Sequence, residues 1–158
     1  MGNVKQKGFT LIELMVVLFI IASMTYGALA SYRGFDQTKR LEADSEAFIE
    51  GVELAKKSVS SGQKPCESYT GTYQLSWGAS SFSVTPVGCA VLQTYELKGN
   101  EFYTSTASAM FNPLGRGTSL ISDTCILIRN KYHNQCRQVT IETSGTAQSE
   151  LNADCLCN

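Results

Sequence analysis

Six cysteines, one histidine, a carboxylate set in an apolar run and four basic side chains in the C-terminal third are the residues of this 158-residue sequence that could do chemistry. Glu13 stands out first. An ionised carboxylate surrounded by hydrocarbon costs several kcal/mol, so it needs a partner and is a candidate for function. The plainer alternative is a glutamate that favours the positive N-terminal end of its helix, an effect of about 0.3 to 1 kcal/mol. Cys66, Cys89, Cys125, Cys136, Cys155 and Cys157 form an even set. Outside the cytoplasm such a set reads as a disulfide framework, with 15 complete pairings open to six cysteines. The most local choices are Cys66 with Cys89, and Cys125 with Cys136 across a hairpin. Cys155 and Cys157 are then left to each other, or one of them ties the tail back to the sheet. A metal site from Cys155, Cys157 and His133 is the sharper alternative, but the Cys-x-x-Cys spacing usual for zinc is absent, and no metal is expected. His133 has no neighbouring nucleophile motif, so neither catalytic residues nor a cofactor is expected. Gly115-Arg116-Gly117 lacks the Lys-Ser or Lys-Thr that completes a phosphate loop, and turn chemistry accounts for its glycines. Arg116, Arg129, Lys131 and Arg137, with only Asp123 between them, give a local charge of +3, a patch that could contact DNA phosphates.

The elements that must position these residues follow from composition. The chain has 13 basic and 14 acidic residues, which argues against a dedicated nucleic-acid binder, and 43% hydrophobic residues, too many for a disordered chain. The averages conceal a split. Residues 9–32 hold 18 hydrophobic residues out of 24 and one charge, Glu13, whereas residues 33–158 carry 24 charges that sum to −2. From Leu14 to Tyr32 no side chain ionises at neutral pH, a run of 19 residues. That is close to what a helix needs to cross a bilayer. A removable secretory signal fits less well, because the run is long and Glu13 interrupts its start. Lys5 and Lys7 precede it and keep the N-terminus cytoplasmic, so the remainder is expected on the far side of the membrane.

Past Tyr32 the helical pattern changes character. Leu41, Phe48, Val52, Ala55 and Val59 recur at spacings of seven, four, three and four, with charged residues between them. This is an amphipathic helix with one stripe to bury. Gly27 and Gly34 are points of expected curvature, and Ser60-Ser61-Gly62 followed by Pro65 ends the helix. A helix over residues 9–60 would be on the order of 78 Å long. Beyond Pro65 short strands are expected at 73–77, 82–85, 91–97, 101–104, 125–129 and 138–142, separated by Gly, Asn and Pro turns. Val139 and Ile141 alternate with Gln138, Thr140 and Glu142, as in a sheet with one wet face. The expected fold class is α+β: a long N-terminal helix with one antiparallel sheet packed on its C-terminal half.

Lys7-Gly8-Phe9-Thr10-Leu11-Ile12-Glu13-Leu14, followed by an apolar helix, resembles the class III leader and mature N-terminus of type IV pilins and type II secretion pseudopilins. The resemblance implies a leader over residues 1–8, cleavage between Gly8 and Phe9 by the membrane protease prepilin peptidase, and N-methylation of Phe9. It further implies that Glu13 pairs with the freed ammonium of a neighbouring subunit's Phe9 and so helps register an incoming subunit. Residues 9–32 would form the membrane and filament-core helix, 33–62 its amphipathic continuation, and 63–158 a disulfide-linked sheet head. Met110 to Thr118, the strand ending near Arg129, and Cys136 to Gly145 resemble the closing hairpins of GspH/FimT-type minor pilins and pseudopilins, as does the helix end over Glu46 to Gly62.

The implied partners are prepilin peptidase, other pilins or pseudopilins in a helical filament, an inner-membrane assembly platform and the membrane itself. The implied location is a single pass through the inner membrane with the head outside, and then a filament of a pilus or secretion system. DNA is the alternative partner. The FimT-like DNA binders carry basic residues after the glycine of the last strand, whereas Gly145 to Glu150 here has none.

Overall fold

In the computed structural model, the residues described are 10–105, 107–113, 116–132, 135–152 and 154–157, with only the backbone described over 27–31. The fold is α+β. One helix, α1, spans Leu11–Ser60 and runs through Gly27 and Gly34 without a break. It stops where expected: Ser61 N still donates to Lys57 O, and Gly62 takes a positive φ of 65°. That left-handed conformation suits glycine and closes the last turn. By contact the chain divides into two compact units, Met1–Asp36 and Gln37–Asn158.

Within the second unit the expected single sheet is in fact two. β1 (Tyr73–Trp77), β2 (Ser81–Pro86), β3 (Gln93–Glu96) and β5 (Ala107–Phe111) form one, in the order β3-β2-β1-β5. β4 (Asn100–Phe102), β6 (Thr124–Asn130), β7 (Cys136–Ile141) and β8 (Ala147–Asn152) form the other, in the order β4-β6-β7-β8. Every pairing is antiparallel. The split arises between β3 and β4, where Gly99 takes a φ of 86° and turns the chain into the second sheet. β5 then returns to lie beside β1. The two sheets remain stitched together: Phe102 N donates to Ala79 O, and Thr118, bridged to Phe111, donates to Thr143 O. Gly117 permits that second contact, since a Cβ there would lie 2.4 Å from Thr143 O.

The predicted stripe is the core. Leu41, Phe48, Val52, Ala55 and Val59 are all buried, facing Tyr73, Leu75, Trp77, Phe82 and Val84 of the first sheet and Phe102, Ile126, Ile128, Val139 and Ile141 of the second. Phe48 sits at the junction. Its ring makes edge contacts with Trp77 at 5.9 Å, Phe82 at 5.2 Å and Phe102 at 5.2 Å, touching both sheets. Edge-to-face pairs of this kind add to the apolar burial, and they fix where the helix crosses the sheets.

The cysteines depart from the expected pattern. Cys66 pairs with Cys89 as anticipated, but Cys125 pairs with Cys157 and Cys136 with Cys155. The ladder explains why Cys125 and Cys136 do not join. Cys125 lies opposite Thr140 and Cys136 opposite Arg129, so the two are four ladder positions apart. At about 3.3 Å per residue that is ~13 Å, beyond disulfide reach. Both lie on the sheet face away from α1, and the C-terminal tail crosses that face to meet them.

Candidate functional site

In the first unit, Thr10 caps α1. Its Oγ1 accepts from Glu13 N at 3.3 Å, and its carbonyl accepts from Leu14 N at 3.2 Å. Thr-x-x-Glu is the capping-box spacing, a local cue present in the sequence and absent from the reading above. The cap places Glu13 in the first turn, exposed, at the positive end of the helix. Gly8 and Phe9 lie outside the described residues.

Every large hydrophobic residue from Leu11 to Tyr26 is exposed, from 47% for Val17 and Ile20 to 79% for Tyr26. Consecutive residues from Leu14 to Ile21 point all round a 3.6-residue helix, so the apolar surface is a sleeve rather than a stripe. A sleeve of that extent needs a cover of lipid or other protein. No helix among the described residues is long and apolar enough to cross a membrane. Within the expected run to Tyr32, the side chains of residues 27–31 lie outside those described, and Tyr32 is again exposed.

In the second unit a buried polar node ties α1 to both sheets. Asp44 lies on the buried stripe between Leu41 and Phe48, a position at which sequence reasoning overlooked it. Its Oδ2 accepts from Asn100 Nδ2 at 2.6 Å and Lys98 N at 2.9 Å, and its Oδ1 from Tyr95 OH at 3.2 Å. Asn100 is itself buried and accepts from Asn130 Nδ2 at 3.1 Å, whose Oδ1 accepts from Tyr132 N at 2.8 Å. The carboxylate is thus fully engaged, as a buried charge must be. Burial, then the Asp44 charge and the hydrogen bond to it, push the Tyr95 phenol above its ordinary value of 10.0.

The four candidate DNA-contacting residues do not all share one surface. Arg129 faces away from α1, where it grips Glu101 at 2.6 Å and lies over the Tyr103 ring at 4.3 Å. Arg137 opposes the buried Ile128 and faces the helix, 3.6 Å from Glu42 and 3.4 Å from the hydroxyls of Ser45 and Ser149. The pleat therefore sends them to opposite faces. A lysine hydrogen bond from Lys39, and secondarily the Arg137 charge, hold the Glu42 carboxyl below its usual range. Arg116 stands beside Gly117 and the Thr143 end of the second sheet, whereas Lys131 stands at its other end, after Asn130. Thus Arg116, at one end, and Arg137, on the helix face, are separated from Arg129 and Lys131, which are two residues apart at the other end, and the four do not form one phosphate-binding face.

The tail is bound through more than its disulfides. Asn152 donates to Gln138 Oε1 at 2.9 Å and to Leu156 O at 2.6 Å, turning the chain back over the sheet. Leu127 and Cys136, on the outward face, are buried. Both Cys155 and Cys157 are committed to disulfides, so neither supplies a thiolate to a metal, and His133 lies outside the described residues.

Residues 3–25 match the family described as the prokaryotic N-terminal methylation motif. The match takes in Lys5, Lys7, Gly8, Phe9, Glu13 and most of the exposed sleeve. No curated protein and no solved structure matches the chain.

Proposed function

We propose that this chain is a structural, non-enzymatic subunit of a type IV pilus or type II secretion filament, of the minor GspH/FimT-like kind. The observation that carries the reading is the juxtaposition of the methylation motif over 3–25 with a capped helix whose apolar side chains are exposed on every side. Only an environment supplied from outside the chain covers such a helix: first the bilayer, through a span completed by residues out to Tyr32, and then the parallel helices of neighbouring subunits. Prepilin peptidase removes residues 1–8 and methylates Phe9. Residues 9–32 anchor the subunit and form the filament core, and the continuation 33–62 carries the head, 63–158, outside the cell membrane. Assembly draws on the inner-membrane platform and on other pilins.

Glu13 has a double role in this reading. At the helix N-terminus its charge is tolerable in a waiting subunit, and in the filament it meets the Phe9 ammonium of a neighbour. Substituting Gly8→Ala leaves unprocessed precursor, detected as a slower band beside the mature form. Substituting Glu13→Ala permits processing and abolishes incorporation into sheared filaments. Normal incorporation of the Glu13→Ala chain would refute the role given to that carboxylate. A DNA-displaying pilin is the alternative, and a gel-shift titration of the full chain across a salt series tests it, with retention at low salt as its signature.

A further inference from the structure

The Leu97–Asn100 turn and the end of β6 meet beside Asp44. Lys131 N donates to Gly99 O at 3.3 Å, Lys98 N to Asp44 Oδ2 at 2.9 Å, and Tyr132 N to Asn130 Oδ1 at 2.8 Å. A Cβ on Gly99 would lie 3.9 Å from the Tyr132 ring. The backbone of this tip is therefore pinned by the buried node, yet it carries three exposed side chains, Lys98, Lys131 and Tyr132, the last 76% exposed. Neither lysine has an ion-pair partner among the described residues. Nearby carboxylates are occupied: Glu42 by Lys39 and Arg137, Asp44 by its three donors, and Glu101 by Arg129. Glu96 is exposed on β3 and pairs with neither lysine.

An exposed tyrosine flanked by uncompensated lysines on a rigid backbone has the chemistry of a membrane interface, where the phenol ring sits at headgroup level and ammonium groups meet lipid phosphates. We propose that Lys98, Lys131 and Tyr132 form a docking surface for anionic phospholipid headgroups, engaged while the subunit is stored in the bilayer and released on assembly. This rests on the membrane-anchored reading above. Each lysine beside an anionic surface strengthens association about fivefold, enough to bias a tethered head and weak enough to let go.

The test uses the full chain carrying Tyr132→Trp, reconstituted into vesicles of phosphatidylcholine brominated high on the acyl chains, with or without phosphatidylglycerol. Trp77, the native tryptophan, is buried in the core, and its signal is subtracted using the chain without the substitution. Quenching of the new tryptophan should be at least about twofold stronger in anionic vesicles. Lys98→Glu with Lys131→Glu should remove the difference, as should salt near 1 M, where the screening length falls to about 3 Å. The uncharged pair Lys98→Gln and Lys131→Gln gives the same readout if charge reversal perturbs the fold. Failure of the chain to float with vesicles would overturn the anchored reading and this inference with it. Flotation with equal quenching in neutral and anionic vesicles would overturn the inference alone. A tryptophan signal that ignores anionic lipid but responds to duplex DNA would overturn it in favour of nucleic-acid contact.

Discussion

Asp44 and Tyr95 show how a few side chains hold the helix in register with both sheets. Asp44→Ala strands one buried donor, Asn100 Nδ2, and two part-buried ones, Lys98 N and the Tyr95 hydroxyl. Each unsatisfied buried donor costs about 1 to 3 kcal/mol, so a loss of about 3 kcal/mol is expected in urea unfolding. Asp44→Asn, which keeps one acceptor, should cost about half as much. Tyr95 adds a pH dependence. Its phenol is raised in the folded state, so the native chain binds that proton more tightly than the unfolded chain does. The stabilisation is whole below pH 10, the ordinary value, and is lost as pH rises through the folded value. Thermal melts should show wild type falling more steeply than Tyr95→Phe above that point, with the variant weaker by about 1 kcal/mol at neutral pH from its lost hydrogen bond. Parallel alkaline curves would count against the coupling. The stripe position of Asp44 was legible in the sequence. Its burial was not, because the donors that make it tolerable come from more than 50 residues away.

At the scale of elements, Gly51 and the C-terminal tail carry the sharpest expectations. A Cβ on Gly51 would lie 2.6 Å from the Phe82 ring, which is itself held by Phe48 and stacked on Tyr95 at 5.2 Å. Alanine would gain about 1 kcal/mol in helix propensity, but overpacking a fixed aromatic costs about 1 to 3 kcal/mol. Gly51→Ala should therefore lower the melting temperature, whereas a stabilised variant would mean Phe82 can yield. Peptide mapping without reduction should return Cys66–Cys89, Cys125–Cys157 and Cys136–Cys155. A Cys125–Cys136 peptide would contradict the ladder. Several of the strands found from sequence show inward apolar alternation, as at Tyr73, Leu75 and Trp77. β5 and β8 escaped notice for physical reasons: Ala107 to Phe111 opens on small residues, and Ala147 to Asn152 is a polar edge strand, so neither shows the period of a half-buried strand. The two-sheet arrangement depended on the Gly99 turn and on these unseen strands, β5 at the edge of the first sheet and β8 at the edge of the second.

For the whole molecule, local sequence carried the anchor and the stripe, while the meeting of distant residues decided the head. The methylation motif, the cap and the apolar run are contiguous, so they could be read without a fold. The basic patch could not. Strand alternation put Arg137 on the opposite face, the length of the second sheet put Arg116 at its other end, and Arg129 and Arg137 were neutralised by partners. At this scale the full chain should show no DNA retention at low salt that depends on Arg129 and Arg137 together, and a loss on substituting both would restore a shared site. The proposed function stands or falls with maturation of the chain at Gly8 as a prepilin-type subunit. Mass spectrometry of the N-terminal peptide, from chain co-expressed with a prepilin peptidase and extracted from membranes, tests it most directly. A prepilin-type subunit yields a peptide beginning at Phe9 and carrying one N-methyl group; a peptide retaining residues 1–8, or one beginning beyond the apolar run, would contradict that maturation.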